Sequence, residues 1–385
     1  MAPTIDLTDV AVVDNHCHSV QTEQHHRDIP AWRALYSESP DAHMRTHEVV
    51  TTVFYQRLLR ELARLFEVEP TEQAVLQARA ELDVHALTSL LLRDAGVAGL
   101  VVDTGFPDPA TALSPQQMGA AVGCPAVSLL RLELLFQDLI VQHDSLDGVA
   151  DAVRRQLSDA RLKGWSGFKS IVAYRTGLEV ASWSRADAEQ AFVVARREVE
   201  RTGAVRLGYK PLLDTLLHVA FSAAAEQGLP VQFHVGYGDP DADLRLAHPL
   251  QLRGVLEQRA YRDMPVVLLH GCWPFVREGA YLAAVYGNAY LDLSYGIPFL
   301  SRQEMRSLTR AALAAAPSSK LLYSSDGARV PDLHWLGAHD GRRALAQVLG
   351  ELVEDGDLDA GEARRFGEQV LRDNAVALYQ ISGVP

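Results

Sequence analysis

The feature that most constrains the fold is a regular alternation between short apolar segments and longer helix-like ones. Eight segments rich in Val, Leu or Ile are predicted as strands: Val12–Asn15, Val97–Asp103, Ala126–Leu132, Gly167–Ala173, Pro230–His234, Pro265–His270, Ala289–Leu293 and Lys320–Ser324. Helical patterns lie between them: Asp147–Lys163, Leu212–Gln227, Pro249–Arg259, Phe275–Tyr286 and Arg302–Ala315. Apolar strands separated by helices are typical of a parallel sheet buried on both faces. Eight such units predict an α/β fold, a (β/α)8 TIM-like barrel.

Two stretches interrupt this alternation. Residues 19–80 are mostly helical in pattern and are predicted as an insertion after the first strand that caps the site, and residues 174–211 hold a second helix-rich excursion. The chain is expected to end in helices at Arg342–Glu354, Gly361–Leu371 and Asn374–Gln380. No low-complexity linker divides it, so residues 1–385 are predicted as a single domain. A doubly wound open sheet is the rival fold, but "DNHCHS" stands where that fold carries a glycine-rich loop.

The composition limits the kinds of partner that the protein is expected to bind. With 36 Lys and Arg against 49 Asp and Glu, the net charge is −13, and such a surface repels a nucleic-acid backbone. No apolar stretch approaches the roughly 18 residues of a membrane-spanning helix. The expected partner is therefore a small-molecule substrate, with no nucleic acid and no membrane, and a homo-oligomer is left open. Three cysteines and a start without a signal-like pattern predict a cytoplasmic protein.

Two histidines close the first apolar segment, in "VVDNHCHSV". Residues i and i+2 of a strand point to the same face, so His16 and His18 are expected to project together and Cys17 away from them. Neutral imidazole is a common zinc ligand. In a chain with 14 histidines the pair alone does not establish a metal site.

Three further polar residues stand at the ends of other predicted strands. His234 ends the fifth strand in "LPVQFHVGYG", His270 ends the sixth in "PVVLLHGC", and Asp326 follows the eighth in "KLLYSSDGA". Each alone has a structural alternative, a hydrogen-bonded histidine or an aspartate in a turn. Because the carboxyl ends of barrel strands converge on one rim, the residues together indicate a shared metal site.

This arrangement resembles the amidohydrolase superfamily: D-x-H-x-H on the first strand, His on the fifth and sixth, and Asp on the eighth. The D-x-H-x-H residues are Asp14, His16 and His18, and the ending "DNAVALYQI" is similar to the closing helix of the amidohydrolase-2 branch. More narrowly, "YKPLLDTLLHVAFSAAAEQGLPVQFHVGYGDPDADLRLAHPLQLR" resembles the amidohydrolase-like domain fused to glutamine-synthetase-like modules in nodulin-related proteins. The resemblance covers the whole chain and is weakest over residues 19–125.

The resemblance implies a divalent metal, Zn²⁺ or another such as Mn²⁺, present as one or two ions. It assigns His16, His18 and His234 as ligands and Asp326 as ligand, base or both. His270 either binds a second metal, or it is unligated and polarises the substrate carbonyl or shuttles a proton. The one-metal interpretation is preferred. A metal in such a shell makes hydroxide available near neutral pH.

The fourth strand carries Lys169, in "WSGFKSIVAYRTGL". In some members of the superfamily a lysine here is carboxylated and bridges two metals, because a carbamate supplies the oxygen ligands that a second ion requires. The alternative is an ammonium group that pairs with an acid or with a substrate carboxylate.

Residues just beyond the strand ends are candidates for binding the substrate. Tyr174 and Arg175 follow the fourth strand, and Tyr237, Arg245 and Arg253 follow the fifth. An arginine can hold a carboxylate through two parallel hydrogen bonds, which makes Arg175 and Arg253 the preferred candidates. For Arg245 an ion pair with its acidic neighbours is at least as good an interpretation.

Three functions follow as hypotheses. The first is metal-dependent hydrolysis of a C–N, amide-type bond in a small carboxylate-bearing substrate, and the glutamine-synthetase association suggests γ-glutamyl amides or similar nitrogen compounds. The second is metal-dependent, non-oxidative decarboxylation of a small unsaturated or aromatic acid. The third is a catalytically silent binding domain, against which the intact ligand set argues.

Overall fold

The structure is a computed structural model that describes residues 5–24 and 28–385. Its eight strands lie side by side in chain order in one sheet, and the registers given for neighbouring strands are parallel. The strands are β1 Val12–His18, β2 Val97–Asp103, β3 Ala126–Arg131, β4 Trp165–Ser170, β5 Val231–Phe233, β6 Val266–Leu268, β7 Ala289–Ser294 and β8 Leu321–Ser324. They form a nearly closed barrel, because β1 lies against β8 as well as β2. The predicted (β/α)8 barrel is confirmed.

Helices separate the strands. They are α1 Ile29–Arg33, α2 Val53–Leu65, α3 Glu72–Ala80, α4 Val84–Asp94, α5 Pro115–Val122, α6 Leu132–Gln142, α7 Leu146–Leu157, α8 Arg185–Thr202, α9 Lys210–Gln227, α10 Arg253–Glu257, α11 Val276–Val285, α12 Arg302–Leu313, α13 Pro331–Glu354, α14 Ala360–Glu368 and α15 Asn374–Tyr379. No helix within the described ranges is both long and apolar enough to pass through a membrane.

Local sequence explains where many of these helices begin. Short polar side chains stand at their N-caps and accept a hydrogen bond from the first turn, which satisfies a backbone donor that the helix itself leaves open. Thr52 caps α2, Ser184 caps α8 and Ser301 caps α12. Ser114, before α5, forms a reciprocal capping box with Gln117. These N-cap residues therefore mark where helices begin between the apolar strands.

Several boundaries differ from the sequence-based predictions, three of them for a physical reason that the structure shows. The helix predicted at Arg342–Glu354 begins at Pro331, because proline is favoured in the first turn and the added segment is buried. The fourth strand ends at Ser170 rather than Ala173, since the chain turns into a 3₁₀ helix at Val172–Tyr174. The sixth ends at Leu268 rather than His270, because His270 adopts a positive φ of 61°.

The described residues group into two compact units. The first runs through Val127 and adds Gly238–Pro240 and Asp292–Pro385. The second comprises Ser128–Tyr237 and Asp241–Leu291. In both, the strands are lined by buried Val, Leu and Phe side chains, whose removal from water contributes about 1.5–3 kcal/mol each. The single-domain organisation of residues 1–385 stays a prediction.

The insertion after β1 is mostly helical over its described residues, as predicted; residues 25–27 of the predicted range lie outside them. Within the first unit, buried ion pairs attach it to α13. The Arg79 and Asp332 side chains form one such pair, and Arg57 Nε lies 2.8 Å from Asp340 Oδ2 in another. Such pairs fix the packing of the insertion, since breaking one leaves a buried charge uncompensated.

Candidate metal centre

The first unit brings together His16 and His18 of β1 and Asp326, which follows β8. Asp326 Oδ1 lies 3.2 Å from His16 Nε2 and 3.4 Å from His18 Nε2. All three residues are buried, and one ligand atom from each falls within 4.8 Å of the others. We call these residues the His-His-Asp cluster. The two imidazoles and this carboxylate therefore lie together, and their role as metal ligands stays a prediction.

Backbone pairing between β1 and the segment after β8 builds the cluster. The Asp326 amide donates to the His16 carbonyl at 3.0 Å, and the His18 amide donates to the Gly327 carbonyl at 2.7 Å. A Cβ at Gly327 would stand 2.8 Å from the His334 amide nitrogen, so only glycine permits α13 to approach this closely. The carboxylate is therefore carried on a tightly packed turn.

Asp14 supports the same turn. Its Oδ1 accepts a hydrogen bond from the Ser325 amide at 2.9 Å, and the Ser325 hydroxyl donates to Oδ2. Burial raises the pKa of Asp14 to about 7, and the hydrogen bonds from Ser325 act in the opposite direction. Asp14 thus ties β1 to the residue that precedes Asp326.

The other side of His18 is also fixed. Its Nδ1 lies 3.3 Å from the Asp103 carbonyl oxygen, which favours a proton on Nδ1 and leaves the Nε2 lone pair directed at Asp326. His334 Nε2 contacts the His18 carbonyl at 3.0 Å. The end of β1, which carries His18, is thereby held by contacts from β2 and from α13.

The donor set fits a divalent metal. Two imidazole nitrogens and a carboxylate oxygen are ligands that Zn²⁺ accepts. Atoms that bind one tetrahedral zinc at about 2.0–2.1 Å lie about 3.4 Å from each other. The separations of 3.2 and 3.4 Å in the His-His-Asp cluster match that spacing. The identity of the metal and the number of ions stay predictions.

In the second unit, His234 and His270 form a pair of imidazoles at the ends of β5 and β6. Their ring centroids are 4.3 Å apart, and the Tyr174 ring lies 4.2 Å from that of His234. The His234 amide donates to the Ser170 carbonyl at 3.1 Å, which fixes the end of β5 against β4. Both imidazoles are buried. Their roles as ligand or catalyst stay predictions.

Lys169 lies in the second unit and is 2% exposed. On the sheet it pairs in register with Gln232 of β5. Paired residues of parallel strands share a face, as do residues i and i+2, so Lys169 lies on the same face as Gln232 and His234. This placement is compatible with both interpretations of the residue, the carbamate and the ammonium.

The predicted substrate-binding residues lie in different surroundings. Arg175 is half-buried, and within residues 5–24 and 28–385 its guanidinium finds neither a hydrogen-bond acceptor nor an ion pair. The Tyr237 ring packs 5.6 Å from that of Trp273. Arg253, by contrast, is exposed and its Nε lies 2.6 Å from Glu257. Arg245 pairs with Asp243, as its alternative interpretation predicted.

Sequence reasoning missed several residues around the His-His-Asp cluster. Asp103 ends β2 and Phe106 follows it, and both contact His18. Arg329, three residues after Asp326, places its guanidinium over the Phe106 ring. The position of Arg329 just beyond a strand end was a usable signal. Phe106 carried none, because the loop after β2 places it. The same holds for Glu38, an acid of the insertion whose charge interacts with those of Asp326 and His18.

Comparisons with known proteins agree with this architecture. Residues 140–381 match a family described as Amidohydrolase. Over 226 residues the chain is 34% identical to Protein fluG of Emericella nidulans, covering 57% of this chain but only 26% of that protein. A Lactobacillus casei structure assigned as a metal-dependent hydrolase is 26% identical with a TM-score of 0.87 and covers 98% of both chains. Uronate isomerase of Thermotoga maritima shares the fold at 16% identity, with a TM-score of 0.69 and coverage of 97% and 95%.

Proposed function

Because the chain belongs to the amidohydrolase family, we propose that it is a metal-dependent hydrolase that cleaves an amide-type C–N bond in a small, carboxylate-bearing substrate. The observation that carries the proposal is the His-His-Asp cluster, whose ligand atoms lie within 4.8 Å of one another. The Lactobacillus casei relative, assigned as a metal-dependent hydrolase, supports the same class of reaction.

The proposed metal is Zn²⁺, held by His16, His18 and Asp326, with His234 as the further imidazole ligand. The carboxyl ends of barrel strands gather at one end of the fold, which supports the assignment of His234 at the end of β5. His270 is proposed to remain unligated and to donate a hydrogen bond to the carbonyl oxygen under attack. Lys169 is proposed as an ammonium group; a carbamate there would instead accompany a second ion.

When bound, a divalent metal makes an activated water available near neutral pH and polarises a carbonyl group. Asp326 accepts the proton that the attacking water releases and delivers it to the departing nitrogen. The oxygen of water forms the new bond to the acyl carbon while the C–N bond breaks. The products are therefore a carboxylic acid and an amine or ammonia. The burial of Asp326 beside two imidazoles suits a group that moves a proton in this step.

Arg175 is proposed to bind a carboxylate of the substrate, next to Tyr174 and Tyr237. Its half-buried guanidinium has no protein acceptor among the described residues, and burial lowers its pKa. A desolvated, unpaired guanidinium is stabilised by a bidentate carboxylate. The substrate contact of Arg253 stays a prediction, and an increase in KM on Arg253→Met would support it. The alternative is a purely structural role, the ion pair of Arg253 with Glu257.

The test is to incubate the zinc-loaded protein with a panel of N-acyl amino acids and primary amides, and with unsaturated and aromatic acids. Amine or ammonia release is followed with fluorescamine and glutamate dehydrogenase, and carbon dioxide release with a coupled carboxylase assay. We expect nitrogen release that Asp326→Asn abolishes and that Asp243→Asn, at an exposed ion pair, leaves unchanged. Carbon dioxide without nitrogen release would replace hydrolysis by decarboxylation, and silence toward both panels would contradict an enzyme of either kind.

The number of ions is tested separately through Lys169. Under the one-metal proposal, Lys169→Ala retains one equivalent of zinc per chain by elemental analysis. Loss of all metal from a folded Lys169→Ala protein would instead assign this residue to the metal shell.

A further inference from the structure

Arg329 lies beside the His-His-Asp cluster in the first unit. Its guanidinium carbon stands 4.8 Å from the centre of the Phe106 ring, and the His18 ring packs edge-on against the same phenyl group at 5.4 Å. The Phe106 ring thus holds the guanidinium by a cation–π contact. Together the two distances place the guanidinium carbon within about 10 Å of the centre of the His18 ring. A group bound by Arg329 would therefore be near the metal ligands.

The backbone holds Arg329 in a defined position. Its amide donates to the Ser19 carbonyl at 3.1 Å, and its carbonyl accepts from the Gln21 amide at 2.8 Å. Its φ of +65° lies in the left-handed region, which a residue with a Cβ adopts only where the surroundings require it. The arginine is thus presented from a rigid turn continuous with Asp326.

The guanidinium of Arg329 is partly buried but not paired. Burial lowers its pKa, and within the described ranges no carboxylate oxygen lies within 4.0 Å of it and no acceptor receives its hydrogen bonds. Other partly buried arginines of this unit behave differently: Arg33 pairs with Glu72, and Arg302 pairs with Asp340. Guanidinium groups that are partly buried in a protein ordinarily have an acceptor. The unpaired guanidinium of Arg329 therefore indicates a partner from outside the chain.

Glu38, in the insertion, is the corresponding acid. It is half-buried, and in the part of the chain that the structure describes it makes no hydrogen bond or ion pair. Burial raises its pKa to about 7, and the charges of Asp326 and Asp239 act in the same direction, whereas those of Arg329 and His18 act in the opposite direction. These two partly buried groups of opposite charge are thus close enough to interact electrostatically, yet they remain more than 4.0 Å from each other.

We propose that Arg329 and Glu38 bind the two charged groups of an α-amino-acid moiety in the substrate, Arg329 its carboxylate and Glu38 its ammonium. A substrate carrying only an anion would satisfy Arg329 but would be repelled by Glu38, whereas a zwitterion satisfies both. This assignment rests on the proposed function for its link to catalysis. It restricts the substrate class to amino-acid derivatives.

The test measures binding rather than turnover, by calorimetry on the zinc-loaded protein. The probes are L-glutamate, glutarate, which lacks the ammonium, and 4-aminobutyrate, which lacks the α-carboxylate. We expect L-glutamate to bind at least about tenfold more tightly than either analogue. Arg329→Met should abolish the discrimination against 4-aminobutyrate, and Glu38→Gln should abolish the discrimination against glutarate. The exposed controls Arg60→Met and Glu69→Gln should preserve both.

Equal binding of all three probes by the native protein would overturn the proposal, as would variants that weaken all three probes alike. If Arg329→Met does not fold, Arg329→Lys provides the same comparison, because it keeps the charge and loses the bidentate geometry, and a partial loss of discrimination is expected. The pattern is separable from the proposed hydrolysis. Selective binding without nitrogen release from any substrate would remove the hydrolase proposal and leave this site standing.

Discussion

The stability of the protein should depend on pH through His334, which contacts the turn behind the metal ligands. This imidazole is fully buried on α13, with Nε2 3.0 Å from the His18 carbonyl and Nδ1 3.2 Å from the Val330 carbonyl. Both contacts would favour the protonated ring, but the cost of burying a charge is larger and lowers the pKa to about 4. The substitution His334→Gln separates the titration of this imidazole from that of all other groups. Its side-chain amide still provides a hydrogen-bond donor but cannot titrate.

The magnitude follows from proton linkage. The unfolded chain binds the histidine proton near the ordinary pKa of about 6.5, whereas the folded protein binds it only around pH 4. The free energy of unfolding is therefore unaffected by this group above pH 7 and decreases as the pH falls from about 6.5 toward 4. Between pH 7 and pH 4.5 the native protein should lose about 2 kcal/mol that His334→Gln does not lose.

Urea unfolding of the chelator-treated proteins at these two pH values measures the difference. Carboxylates titrate equally in both proteins and cancel in the comparison. His85→Gln, at an exposed position on α4, serves as the control and should follow the native protein. Stability curves for His334→Gln and the native protein that stay parallel from pH 7 to pH 4.5 would refute the reasoning.

Two further substitutions test the packing around the site. Gly327→Ala should destabilise the fold by about 1–3 kcal/mol and weaken zinc binding, because the new methyl group would stand 2.5 Å from His334 Nδ1. Thermal melting measures the stability and elemental analysis measures the bound zinc. An unchanged melting temperature would be contrary to expectation. Asp332→Asn should cost about 3–5 kcal/mol because it leaves Arg79 as an uncompensated charge that is 0% exposed; Asp357→Asn, at an exposed turn, is the control for the same denaturant titration.

Much of the fold could be predicted because a barrel strand buried on both faces must be apolar along its length. The second strand has the predicted bounds, Val97–Asp103, and the seven others differ by one to three residues at one or both ends. The beginning of α13 was missed, because the segment after Pro331 contains histidines and glycines whose helical state depends on burial rather than propensity. Tertiary packing, absent from the local pattern, decides such boundaries.

For the site, the polar residues that close apolar strands were the informative signal. His16, His18 and Asp326 meet as expected because parallel strands bring their carboxyl ends to one side of the sheet. Glu38 and Phe106 could not be anticipated, since loops place them and no periodicity governs a loop. Arg175 and Arg253 looked alike in sequence, yet one guanidinium is unpaired and the other lies against Glu257. Only the surrounding charges separate such residues.

The most direct test is elemental analysis of zinc in the purified native protein, His16→Ala and Asp326→Ala, each equilibrated with equal zinc and freed of excess metal. The His-His-Asp cluster predicts at least one equivalent in the native protein and far less than one in both variants, with far-ultraviolet circular dichroism showing that they are folded. Native protein that holds no metal, or folded variants that hold as much as the native protein, would contradict the assignment of these three side chains as the metal centre.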